Sequence, residues 1–151
     1  MHMTCSVECD AAIREPAGAV AVRFPDGLPA FESHRDFELV ADADIPLFYW
    51  LRSASEGEPV TLVTVDPFVV APGYVADIRE PDALSLEIGD PSDALLLAIV
   101  NFSGYPESVF VNLSGPILMN ARTWRARQVV LENASDYGFR HSVSMNAEGA
   151  A

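Results

Sequence analysis

Three histidines, two cysteines and twenty-two carboxylates are the residues of this 151-residue chain that could do acid–base, thiol or metal chemistry. His2, His34 and His141 are scattered along the whole length. There is no G-x-S-x-G elbow, no phosphate-binding glycine loop and no H-E-x-x-H pair. His141 follows Arg140, whose charge disfavours protonation, so a general base there is one reading; an exposed loop histidine is the commoner case. The Asp42/Asp44 and Glu56/Glu58 pairs flank expected strands and read as a solvated face. Asp66 precedes Pro67 and Phe68 inside an apolar segment, where a carboxylate needs a partner, and capping a bend suits it better than catalysis. Cys5 and Cys9 form a C-x3-C pair without a second Cys or His cluster, which is a poor metal signal and no disulfide framework. No catalytic residue, metal ligand or cofactor site emerges from this inventory.

The basic residues give a second set of candidates. The chain has no lysine, and its nine arginines face twenty-two acids for a formal charge of −13. Arg122, Arg125 and Arg127 form the one basic cluster, with Trp124 among them, an arrangement that can mark nucleic-acid contact. In so acidic a chain they read more simply as internal partners for surplus carboxylates, because binding a phosphate backbone requires net positive charge. Between Ala41 and Leu113 twelve acids stand against only Arg52 and Arg79, a local net of −10. Two readings fit that asymmetry: a solvated surface that keeps an apolar-rich chain in solution, or a negative face that steers a basic partner.

The elements that must position these residues read as strands. Half the residues are apolar, enough for one domain to fold around its own core. Strands are expected over 19–24, 37–40, 47–51, 60–65, 68–70, 95–102, 109–113, 117–120 and 127–131, with turn residues such as Pro25-Asp26-Gly27 and Pro72-Gly73 between them. A helical turn capped by Ser33 is expected at 33–36. One short helix is expected between Pro81 and Ile88, capped by Asp82, with Ala83, Leu84 and Leu86 facing inward. The run Ala94 to Val100 is too short to span a membrane and reads as a buried strand. The pattern predicts an all-β, mostly antiparallel, single-domain fold, β-barrel-like, with at most one or two short helices. The domain is expected over 19–143, between a flexible leader at 1–18 and a flexible tail at 144–151. The leader carries Glu8, Asp10 and Glu15 and lacks a continuous apolar core, unlike a secretory signal, so the expected compartment is the cytoplasm.

Four segments, read in order, resemble the flagellar assembly factor FliW family. Phe24-Pro25-Asp26-Gly27-Leu28-Pro29-Ala30-Phe31 is similar to that family's F-x-x-G-I/L-P-G-F opening. Asp66-Pro67-Phe68 followed by Pro72-Gly73-Tyr74 is similar to its (S/D)-P-F-x-x-x-P-x-Y. Val111-Asn112-Leu113-Ser114-Gly115-Pro116-Ile117-Leu118-Met119-Asn120 resembles its V-N-L-x-A-P-I-x-x-N. Gln128-Val129-Val130-Leu131, then Tyr137 and Arg140-His141, resembles its closing Q-V-V-L with a tyrosine and a basic-His pair. Order and spacing hold from about Val22 to Val143. Ala30 stands where the family usually has glycine, Gly115 where it has alanine, Arg52 where glutamine is frequent, and Ala126 where glycine is frequent.

The resemblance implies a protein that binds other proteins and catalyses nothing, with no cofactor. Its partners would be the translational regulator CsrA and newly made flagellin, which compete for it; its negative surface would also repel RNA from a docked CsrA. No direct nucleic-acid or membrane contact is implied, and the free protein is expected to be a monomer. The expected partner surface is the acidic segments at Glu56 and Glu58 and at Asp77, Glu80 and Asp82, with Tyr74 as an aromatic anchor. Asn112 and Asn120, polar residues in an apolar run, either satisfy backbone groups or touch the partner. The competing reading is a small-ligand-binding β-barrel or an enzyme of unknown substrate.

Overall fold

The computed structural model describes residues 2–5, 19–29, 31–42, 44, 48–54, 59–138 and 140–144. Glu56 and Glu58 lie outside the described residues. Strands β2 (Ala19–Arg23), β3 (Asp36–Ala41), β4 (Phe48–Ser53) and β5 (Thr61–Val65) form a meander in which each strand pairs antiparallel with the next. β5 then pairs with β7 (Ala94–Asn101), β7 with β9 (Ile117–Asn120), and β9 with β10 (Ala126–Gln128). The C-terminal end of β7 also pairs with β8 (Ser108–Val111), which in turn holds β11 (His141–Ser144). Apart from this sheet, β1 (His2–Cys5) and β6 (Ala76–Arg79) make an antiparallel pair.

β7 shows why its sequence is a continuous apolar run rather than an alternating one. Leu96, Ala98 and Val100 enter one core with Val65, Tyr74, Ile78 and Val111, whereas Leu95 and Leu97 enter a second with Phe24, Phe37, Tyr49 and Leu51. Successive side chains leave opposite faces of a strand, so a strand covered on both sides must be apolar at every position. β9 divides likewise, Leu118 to the first core and Ile117 and Met119 to the second.

The ladders are antiparallel throughout, and the helices are short. The barrel-like expectation needs one correction: the sheet is not closed into a barrel. β2 and β10 stand at opposite ends of the strand order, and one bridge, Arg23 with Arg125, links them, with the Arg23 amide donating to the Trp124 carbonyl at 3.0 Å. β10 is three residues long, and one hydrogen bond makes no ladder.

Other expectations shift locally. Residues 68–70 were expected to be a strand but form α1 (Pro67–Val70). Asp66 starts this helix by accepting the Phe68 amide at 2.9 Å, and Pro67 at the first helical position has no amide to leave unpaired. The short helix exists as α2 (Glu80–Ser85), but it begins at Arg79 without a side-chain cap. Asp82 lies in its first turn, and Leu84, expected inside, is 66% exposed while Ala83 and Leu86 are buried. No helical turn forms at 33–36, because Asp36 already opens β3 opposite Arg23. β6 and β11 lack the length and β-branched content that mark a strand, and they are held by their partners. β1 forms within the stretch read as a leader.

Candidate functional site

The acidic segment following Tyr74 is built from β6 and α2. Ala76 and Ile78 point into the core, so Asp77 between them faces outward and is half-buried. Its backbone is fastened on both sides: the Asp77 amide donates to Asn133 Oδ1 at 3.0 Å, and its carbonyl accepts the Glu132 amide at 2.8 Å. Glu80, at the start of α2, is exposed. Asp82 is half-buried and faces Arg127, with 3.7 Å between Oδ1 and Nη1, while the same Nη1 donates to Ser85 Oγ at 2.8 Å. Arg79 lies 3.9 Å from Glu132. The fold thus brings Asp77, Glu80 and Asp82 to one region, where Asp82 and the neighbouring Glu132 each have an arginine opposite them.

Two of the expected partner residues, Tyr74 and Asn120, serve the interior instead, and Asn112, half-buried, closes a turn. Tyr74 is 2% exposed and cannot anchor a partner from the surface. Its ring packs edge-on to Phe68 at 5.4 Å and tilted to Tyr137 at 4.7 Å, and its hydroxyl donates to the Leu113 carbonyl at 2.7 Å. The sequence placed Tyr74 beside an exposed Pro-Gly turn, but the turn ends just before it and the chain has already dived inward. Asn120 is 3% exposed; its Nδ2 donates to the Leu86 carbonyl at 2.8 Å and its Oδ1 accepts the Arg122 amide at 2.8 Å. Asn112 Oδ1 accepts the Gly115 amide at 2.9 Å and the Ser114 hydroxyl at 3.2 Å, closing the turn between β8 and β9. Both asparagines satisfy backbone groups that lie beyond the ends of ladders.

The remaining candidates for chemistry resolve in the same direction. Asp66 is a buried cap. Asp42 accepts the Trp50 indole N–H and the Asp44 amide, each at 2.7 Å. Arg122 lies 3.9 Å from Asp93 and Arg127 faces Asp82, so two of the three clustered arginines do meet acids. His141 is exposed on β11, paired with Val111. Among the described residues no group of three or more His, Cys, Asp or Glu could hold a metal ion, and no helix is long and apolar enough to cross a membrane.

Two surface residues were missed. Phe102 and Tyr105, in the turn between β7 and β8, are 39% and 62% exposed, with ring centroids 6.2 Å apart. The signal lay in Phe102-Ser103-Gly104-Tyr105-Pro106, a turn sequence carrying two aromatics where turns ordinarily carry small polar residues.

Comparison with known proteins agrees with the motif order. A model of the FliW protein family matches residues 11–143. A flagellar assembly factor FliW of Moorella thermoacetica is 37% identical over 123 residues, covering 81% of this chain and 77% of that protein. One from Thermosipho africanus is 34% identical over 82% of this chain and 84% of its own length. One from Geobacter sulfurreducens is 32% identical over 93% of this chain and 85% of its own length. A crystal structure of the flagellar assembly factor FliW superposes with a TM-score of 0.71 over 98% of this chain and 99% of that one, at 24% identity, which shows the shared fold. With the four motifs in order, the matching fold and relatives alike over most of their length, the chain belongs to the FliW family of flagellar assembly factors.

Proposed function

We propose that this protein works by binding other proteins in the cytoplasm, as a monomer when free, and catalyses no reaction. Its partners are the translational regulator CsrA and flagellin. By holding CsrA away from RNA, through a site other than the RNA-binding surface, it couples flagellin translation to flagellin export. Family membership carries this reading. The net charge of −13 supports it, because an acidic protein docked on an RNA-binding protein lowers the local potential that RNA needs. Antagonism of this kind requires tighter binding to RNA-free CsrA than to RNA-bound CsrA, since coupling between two ligands is reciprocal.

The contact surface in this reading comprises Glu56, Glu58, Asp77, Glu80 and Asp82. Glu80 is the most available of those described, and Asp82 exchanges Arg127 for a basic residue of the partner. Calorimetry with CsrA from the same organism, alone and with a CsrA-binding RNA already present, tests the function. Tight binding that the RNA weakens is expected. Absence of binding at low salt would overturn the CsrA role, and the same titration with flagellin addresses the second partner.

A further inference from the structure

The turn between β7 and β8 displays its two aromatic rings on a closely tied frame. Phe102 stacks edge-on against Phe48 at 6.0 Å, and Phe48 is buried, so the outer pair stands on the core. Asn101 Oδ1 accepts the Ser103 amide at 2.8 Å, the Tyr105 amide donates to the Phe102 carbonyl at 2.9 Å, and the Ser108 amide donates to the Gly104 carbonyl at 3.1 Å. A Cβ on Gly104 would stand 2.8 Å from Ser108 Oγ and 3.2 Å from the Phe110 ring, so the turn is folded tightly onto β8. Aromatic side chains exposed on a rigid turn lose little entropy on binding, and tyrosine is enriched where proteins meet.

The charges around this pad select its occupant. Residues 101–109 carry Glu107 and no base, and Glu107 is exposed. Residues 41–51 carry Asp42 and Asp44 and no base. They reach the same end of the molecule through Phe48, whose carbonyl accepts the Asp42 amide at 2.9 Å and whose ring touches Phe102. Arginine joins a planar cation that lies on aromatic faces to a fork that pairs with carboxylates. Arg140 is a base beside the turn, and it is already engaged: its guanidinium sits 4.3 Å from the centre of the Phe110 ring, an example of such a pairing on this face.

We infer that Phe102 and Tyr105, with Glu107 in the same turn, form a second docking surface, separate from the acidic region at Glu80, that takes an arginine-bearing segment of a partner protein. The inference rests on the protein-binding reading but not on which protein is bound.

The test is an amide NMR titration of the full chain with the capped peptide Gly-Arg-Gly-Arg-Gly-Arg-Gly, and with its glutamate counterpart as control. Shifts concentrated at residues 101–107 are expected from the arginine peptide and none from the control. Tyr105→Ala should weaken binding about threefold or more, the scale of one exposed cation–π contact, while Tyr105→Phe keeps it. Glu107→Lys should weaken it without touching the aromatic pair. Shifts spread evenly over the acids with Tyr105→Ala unaltered would overturn the inference. So would loop shifts that depend on protein concentration without peptide, which would make a second copy of this chain the occupant. Failure of CsrA to bind would sink the proposed function and leave this surface standing on the peptide result.

Discussion

The Tyr74 hydroxyl donates to the Leu113 carbonyl at 2.7 Å, joining residues thirty-nine apart in sequence. The bond ties the Pro-Gly-Tyr motif to the Val-Asn-Leu motif inside the core, which is a structural reason for the two to occur together. Tyr74→Phe keeps the ring contacts but leaves that buried carbonyl without its donor. A loss of about 1–2 kcal/mol in unfolding free energy is expected from urea denaturation. Unchanged stability would mean that the Leu113 carbonyl is satisfied without the hydroxyl.

Asn120 is more deeply committed, because it bonds to two chain segments at once. Asn120→Ala leaves the Leu86 carbonyl and the Arg122 amide unpaired near the core, at an expected cost of about 2–3 kcal/mol. CsrA binding by the folded fraction should persist. A variant of normal stability that no longer binds would return Asn120 to the partner surface.

Two glycines separate strain from crowding. Gly27 has φ +74°, and a Cβ there would stand 2.6 Å from the Glu32 carbonyl oxygen and 2.7 Å from its Cα, both main-chain atoms. Gly73 has φ +86° with open space around it. Gly73→Ala should cost about 1 kcal/mol for the left-handed backbone alone, and Gly27→Ala distinctly more, up to about 3 kcal/mol. Thermal unfolding of the two variants side by side checks the order, and equal losses would contradict it.

Asp90 accepts the Ser92 amide and the Ser92 hydroxyl, each at 2.9 Å, and the amide bond first and the hydroxyl second hold its carboxyl below the usual aspartate value. A carboxyl depressed by folding contributes stability above its unfolded pKa and loses it as pH falls through the folded one. NMR titration should place its midpoint below that of a solvated aspartate, and Ser92→Ala should raise it. A midpoint unmoved by that substitution would assign the shift to other groups.

Glu56→Lys, Glu58→Lys and Glu80→Lys, combined, should weaken CsrA binding about tenfold or more at low salt, with the difference shrinking as ionic strength rises. Affinity that is indifferent to both the charges and the salt would place the CsrA surface elsewhere.

Local pattern was sufficient wherever a segment's neighbours did not matter. The run from Ala94 to Val100 was legible as a buried strand from its length and unbroken apolar content, and the structure adds that both of its faces are covered. The strand expected over 60–65 forms as β5, and Pro25-Asp26-Gly27 turned, for equally local reasons, although the burial of Val63, Thr64 and Val65 together depended on the strands at either side. The Asp66 cap was legible too, because a carboxylate before proline in an apolar segment has few other uses. The motif order carried the family.

Burial of single side chains was decided by packing at a distance. Tyr74 lies inside because Leu113, Phe68 and Tyr137 surround it, and Leu84 lies outside because α2 starts at Glu80, which rotates that position away from the core. β6 and β11 are strands because β1 and β8 supply the hydrogen bonds that their own four-residue sequences do not demand. The exposed pair Phe102 and Tyr105 depended most on the whole fold, since a turn's sequence does not say which of its aromatics the neighbouring strand leaves room for. Spacing along a chain constrains period and turn geometry; which face meets water depends on contacts between residues far apart in sequence.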